Sequence, residues 1–126
     1  MLNLTVFSKR KILETFESCM VQDEHIECLY NYLVFGFEPG GFWTSVLANN
    51  FIDAISRCHP ANRLADIKDT VDWIREFMPQ VGWGSYNHVK QWLELSESER
   101  RLILEQHLLI YTEKEETWLA LKEEYA

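Results

Sequence analysis

The sequence predicts an all-α fold: a single compact bundle of about five to seven helices over residues 1–126, with a core at 22–93 and a C-terminal helical extension at 96–125. Three observations point to it. Apolar residues recur at spacings of three and four through most of the chain, residues that cap helices stand ahead of those runs, and only Leu2-Asn3-Leu4-Thr5-Val6 alternates as a strand would. A lone strand is marginal, so this stretch reads as an extended lead-in. No internal repeat or low-complexity linker divides the chain into domains.

Ser8 is expected to cap a first helix over about 9–20, in which Ile12, Leu13, Phe16, Cys19 and Met20 keep helical spacing. Its first turn holds Lys9-Arg10-Lys11, the only basic cluster, at the end the helix dipole disfavours; it reads as solvated charge, or as a contact for an acidic partner or the chain's own acidic C-terminus. Asp23 is expected to cap a second helix running to Phe35, with Gly36 ending it. After the Pro39-Gly40-Gly41 turn a third helix is expected over about 41–58, with Phe42, Val46, Leu47, Phe51, Ala54, Ile55 and Cys58 on one stripe and His59-Pro60 at its end.

A fourth helix at about 62–78, capped by Asn62 and stopped by Pro79, repeats Leu64, Ile67, Val71, Ile74 and Met78 along one face. Gly82-Trp83-Gly84-Ser85 reads as a turn, Ser85 capping a short fifth helix through Val89, Trp92 and Leu93. Ser96 and Glu99 form a capping box that opens a sixth helix, and Thr112 with Glu115 offers a second box. A break is therefore expected near 112, followed by a short terminal helix carrying Trp118, Leu119, Leu121 and Tyr125.

The charge is −8, and residues 94–126 hold nine acids against four bases. That balance argues against direct binding of nucleic acid, which relies on Lys and Arg to neutralise phosphates. Nothing in the sequence approaches a membrane span or a signal-peptide layout, so a cytoplasmic location is expected. Three cysteines, Cys19, Cys28 and Cys58, are an odd number and read as reduced thiols.

Pro39, Gly40 and Gly41 admit two readings. They can make a sharp turn between packed helices, or they can aim backbone N–H groups at a phosphate or carboxylate; no Walker-type Gly-Lys-Ser/Thr ending follows them. Asn49 and Asn50, expected in mid-helix, read as a clamp on the preceding loop or the Trp83-Gly84-Ser85 turn, or as a ligand contact. Cys19, His25, Cys28, Cys58 and His59 lack the paired knuckles of zinc sites, so no metal is expected. No nucleophile elbow and no distinctive carboxylate pair appears among Glu14, Glu17, Glu24, Glu27 and Asp53; no catalytic residue, cofactor or enzymatic activity is expected. The C-terminal third carries an apolar arc wider than one packing face requires. Leu108, Tyr111, Glu115, Glu116, Trp118 and Tyr125 are accordingly the candidate partner-binding residues, with self-association, a dimer above all, as one outcome and a helix folded back on the bundle as the other.

The segment from Tyr30 to Trp92 resembles small bacteriophage and prophage proteins that share an aromatic-rich helix, then Gly36-Phe37-Glu38-Pro39-Gly40-Gly41-Phe42, then a helix with an Asn pair, and later Trp83-Gly84-Ser85 leading to Trp92. This chain departs from the pattern at Trp43, where Leu is common, at Asn49-Asn50, where an Asn-Asp pair stands, and near Cys58-His59, where an Ala-Asp pair stands. The resemblance transfers no activity residue by residue. What it implies is an accessory protein made during infection in the cytoplasm of a host bacterial cell, binding and inhibiting or modulating a host protein, an immune or anti-phage defence factor included. Two other functions are compatible with the residues: an oligomeric sponge for a phosphorylated small-molecule signal at the Pro39-Gly40-Gly41 loop, and an acidic nucleic-acid mimic that blocks a basic groove.

Overall fold

The computed structural model describes residues 1–59 and 62–125. Among them it contains eight α-helices: α1 (Val6–Ser18), α2 (Asp23–Phe35), α3 (Gly41–Leu47), α4 (Phe51–Arg57), α5 (Leu64–Phe77), α6 (Tyr86–Glu94), α7 (Glu97–Gln106) and α8 (Glu113–Glu124). A short 3-10 turn, Gln80–Gly82, links α5 to α6. The all-α bundle expected from the periodicity is what forms, with one helix more than the upper expectation.

The extra helix comes from the Asn pair. The expected third helix over 41–58 is two helices, because Asn49 adopts φ 61° and Asn50 turns from capped to capping residue. The Asn50 amide closes back on the Ser45 carbonyl at 2.9 Å, which ends α3, while its side-chain oxygen accepts from the Asp53 amide at 3.1 Å, which starts α4. Pro60, expected to stop that helix, lies outside the described residues.

The same terminating motif closes three other helices. Left-handed residues stand at Met20 after α1, Gly36 after α2 and Leu108 after α7, and the amide that follows each bonds back to the helix: Val21 to the Phe16 carbonyl, Phe37 to Asn31 and Leu109 to Leu104. Only Gly36 is a residue type that announces such a stop. At the other end, α1 begins at Val6 and not at residue 9, since Thr5 caps it by accepting from the Ser8 amide at 3.4 Å. Asn62 does not cap α5; Arg63 holds that position, with no side-chain cap bond. Both capping boxes form, at Ser96–Glu99 and at Thr112–Glu115.

The core is one buried apolar cluster that draws on the lead-in residues Leu2 and Leu4, on α1, and on Leu104, Leu109 and Ile110, and so extends beyond the 22–93 span. Trp73 stacks on Phe16 with ring centroids 4.3 Å apart, and its indole N–H donates to Thr15 Oγ1 at 2.9 Å. Trp92 donates to the Tyr32 carbonyl at 2.8 Å, while the Tyr32 hydroxyl donates to the Gly82 carbonyl at 2.7 Å. The two largest side chains are thereby buried with their polar ends satisfied.

Arg100 is buried at the ends of two helices. Its Nη2 donates to the Trp92 and Leu95 carbonyls at 3.1 and 2.9 Å, supplying the last turn of α6 with donors, and the guanidinium lies against Gly36 at the end of α2. A cation there meets the negative end of two helix dipoles. Burial lowers its pKa from the ordinary arginine value, and the Glu97 carboxylate opposes that shift.

Candidate functional site

Helix α5 is apolar on two sides. Thr70, Trp73 and Ile74 face the core and are buried, whereas Leu64, Ile67 and Val71 lie on another arc and wall an open groove. The stripe expected on this helix merged the two: Ile74 and Met78 belong inside, and Leu64 is 78% exposed. The opposite wall comes from α3 and α4, through Phe42, Val46, Ala54 and Ile55.

The break at Asn49–Asn50 is what opens this groove. Because α4 does not continue α3, the expected stripe splits: Leu47 and Ala54 are buried, while Phe51 is 76% and Ile55 50% exposed, and Ile52 beside them is 79% exposed. The groove measures about 320 Å³.

Its polar frame is ordered. Asn50 Nδ2 donates to Asp53 Oδ2 at 3.1 Å, and the Tyr86 hydroxyl donates to the same oxygen at 3.0 Å, which draws the Asp53 carboxylate toward α6. Asp66 accepts from Gln22 Nε2 at 3.3 Å. Lys68, which lines the groove, pairs with Asp72 at 3.0 Å. The side chains of Arg57 and Arg63 are exposed and form no ion pair among the described residues.

The five expected loop residues divide. Asn49 and Asn50 line the groove; Pro39 is buried, and Gly40 and Gly41 form the turn into α3. The Arg57 side chain crosses Gly41 so closely that a Cβ there would lie 2.8 Å from its Nη1. Asn50 reaches Tyr86, the residue immediately after the Trp83-Gly84-Ser85 turn, at 3.3 Å, and the Gly84 amide donates to the Leu47 carbonyl at 2.7 Å.

The C-terminal candidates also divide. Glu116 is buried, accepting from Ser8 Oγ at 2.9 Å and from Arg101 Nη2 at 3.1 Å, so it fastens α8 to α1 and α7. The Tyr111 amide donates to Ser8 Oγ at 3.1 Å, and Lys11 Nζ stands 4.4 Å from the Tyr111 ring centre. Glu115 closes its capping box. Leu108, Trp118 and Tyr125 are exposed, Leu108 on the α7–α8 link and the other two on the outer side of α8.

Cys28 and Cys19 have thiol pKa values raised chiefly by burial, the opposite of an activated nucleophile. His25 is buried edge-on to Trp43, with ring centres 4.9 Å apart. Among the described residues no group of three His, Cys, Asp or Glu side chains is placed to hold a metal ion, and no helix is long and apolar enough to cross a membrane.

Sequence reasoning missed the groove residues Phe51, Ile55 and Leu64 as an exposed set. A signal was present: Trp73 lies off the Leu64–Met78 stripe, so α5 has more apolar circumference than one face uses. No protein-family model, no curated protein and no solved structure matches this chain.

Proposed function

We propose that this chain is a non-enzymatic binding protein whose α4–α5 groove takes an amphipathic helix of a protein partner. In the setting implied by the likeness of Tyr30–Trp92 to phage proteins, it is an accessory protein that modulates a host bacterial factor, an anti-phage defence factor included, by stoichiometric contact. The observation that supports this is the set Phe51, Ile55 and Leu64, all half or more exposed around an apolar groove.

Burying each such side chain contributes about 1.5–3 kcal/mol, enough for a few of them to drive association. The apolar lining of the groove favours a helix whose apolar anchors are spaced i, i+3, i+7.

The test is capture from bacterial lysate with wild-type and Ile55→Glu baits, followed by titration of the purified captured protein. A one-to-one complex is expected, weakened at least about tenfold by Ile55→Glu at an unchanged melting temperature. Equal affinity of the captured protein for wild type and Ile55→Glu would sink the reading.

A further inference from the structure

We infer that the groove between α1 and α2 is a second docking surface, one that takes a basic amphipathic helix of a protein partner. It shares no lining residue with the α4–α5 groove. Leu13 from α1 and Ile26 and Tyr30 from α2 form its apolar bed, with Phe35 at the end of α2, around a space of about 690 Å³. Leu13 is 42% exposed and the other three are only partly buried. On α2 the wall runs through Asp23, Ile26, Glu27 and Tyr30, at i, i+3, i+4 and i+7. That is about 10 Å at the helical rise, enough to seat two turns of a helix.

Charge selects the occupant. Glu17, Asp23 and Glu27 line this groove, and their side chains form no ion pair among the described residues; Lys9 is the one cation on it. The α4–α5 groove has a single charged lining residue, Lys68, which is already paired with Asp72. The two surfaces therefore differ in kind. Glu17 and Asp23 both border the link between α1 and α2, so the acidic end of the groove lies there, while Lys9 stands about 12 Å along α1 from Glu17 at the helical rise. A helix that lays apolar anchors on the bed and turns Lys or Arg toward the link meets opposite charge. Tyr30 and Phe35, edge-on with ring centres 6.1 Å apart, add aromatic surface on which the stem of a Lys or Arg side chain can rest.

The same charges argue against other occupants. Among the eight helices of the described residues only α1 has more bases than acids, and α1 is itself a wall of the groove, with Arg10 and Lys11 lining the cleft it forms with α8. Any other helix of a second copy would bring no excess of positive charge to the three carboxylates. Nucleic acid and an anionic membrane surface are repelled by them outright. A separate protein whose docking helix is basic is what remains.

Two helical peptides of one pattern test this, with Leu at i, i+3 and i+7 and either Lys or Glu on the flanks, each titrated against the full chain by fluorescence anisotropy. The Lys peptide should bind at least about tenfold more tightly than the Glu peptide, and that margin should shrink as salt rises. Leu13→Glu should weaken the Lys peptide at least about tenfold at an unchanged melting temperature, since the side chain is already in contact with solvent. The double variant Glu17→Lys, Glu27→Lys should reverse the preference in favour of the Glu peptide, which a damaged fold would not do, and Lys9→Glu should tighten the Lys peptide. Ile55→Glu should change neither affinity, so that failure at this groove and failure at the α4–α5 groove are read separately. Equal affinity of wild type for the two peptides, no binding of either, a preference unmoved by the charge reversal, or a wild-type dimer that Leu13→Glu dissolves each overturns the proposal.

Discussion

The guanidinium of Arg100 fills the space into which a side chain at Gly36 would project. Residue 36 is held as glycine twice, by that contact and by φ 67° at the end of α2. Gly36→Ala should destabilise the fold by about 2–4 kcal/mol in urea unfolding. In an Arg100→Ala background the added cost should drop by about 1 kcal/mol or more, because the two residues share the contact.

Asn49 and Asn50 do different work. Asn50→Ala removes the α4 cap and the tether to Tyr86 and should cost about 1 kcal/mol. Asn49→Gly relieves a left-handed residue and should raise stability by a few tenths of a kcal/mol, about half a unit at most. Equal losses for both would place them in one continuous helix.

Leu108 is strained by the same argument, with φ 58° and its side chain in solvent. Leu108→Gly should stabilise the protein by about 1 kcal/mol, measured as a rise in denaturation midpoint at constant slope.

Glu116 anchors α8 through Ser8 and Arg101. Glu116→Leu should cost about 1.5–3 kcal/mol and leave Arg101 with Glu105 as its ion-pair partner and the Tyr111 carbonyl as acceptor. Hydrogen exchange over 113–124 should accelerate before the rest of the chain opens.

Tyr32 sets an alkaline limit. Burial pushes its phenol well above the ordinary value of about 10, with Arg100 pulling weakly the other way. A raised folded-state pKa stabilises the fold fully below the unfolded value, and that contribution fades as pH climbs past about 10 toward the folded value. Cys28, its thiol also raised by burial, begins to do the same from about 8.5. Tyr32→Phe should flatten the decline of stability with pH above about 10 and cost about 1–3 kcal/mol at neutral pH by leaving the Gly82 carbonyl unpaired.

How much was legible in the sequence follows from which signals are local. Capping boxes at Ser96–Glu99 and Thr112–Glu115 are read directly because both partners sit within one turn. The Gly36 stop is read for the same reason. Met20, Asn49 and Leu108 end their helices in the left-handed conformation without being glycine, and of the three only Asn is a residue type that adopts it readily. The groove was hidden by the stop at Asn49. With α3 and α4 taken as one helix, Phe51 and Ile55 fall on a buried stripe; with the chain broken at Asn49–Asn50 they come out to solvent. Glu116 was misjudged for a related reason, since the residues that bury it, Ser8 and Arg101, are 108 and 15 positions away.

Amide hydrogen exchange across the groove, in the complex with the captured host protein, measures the binding surface most directly. Slowing of about tenfold or more, confined to Phe51–Arg57 and to the Leu64–Val71 wall, is the predicted result. Unchanged rates in these segments, with protection elsewhere on the chain, would contradict it.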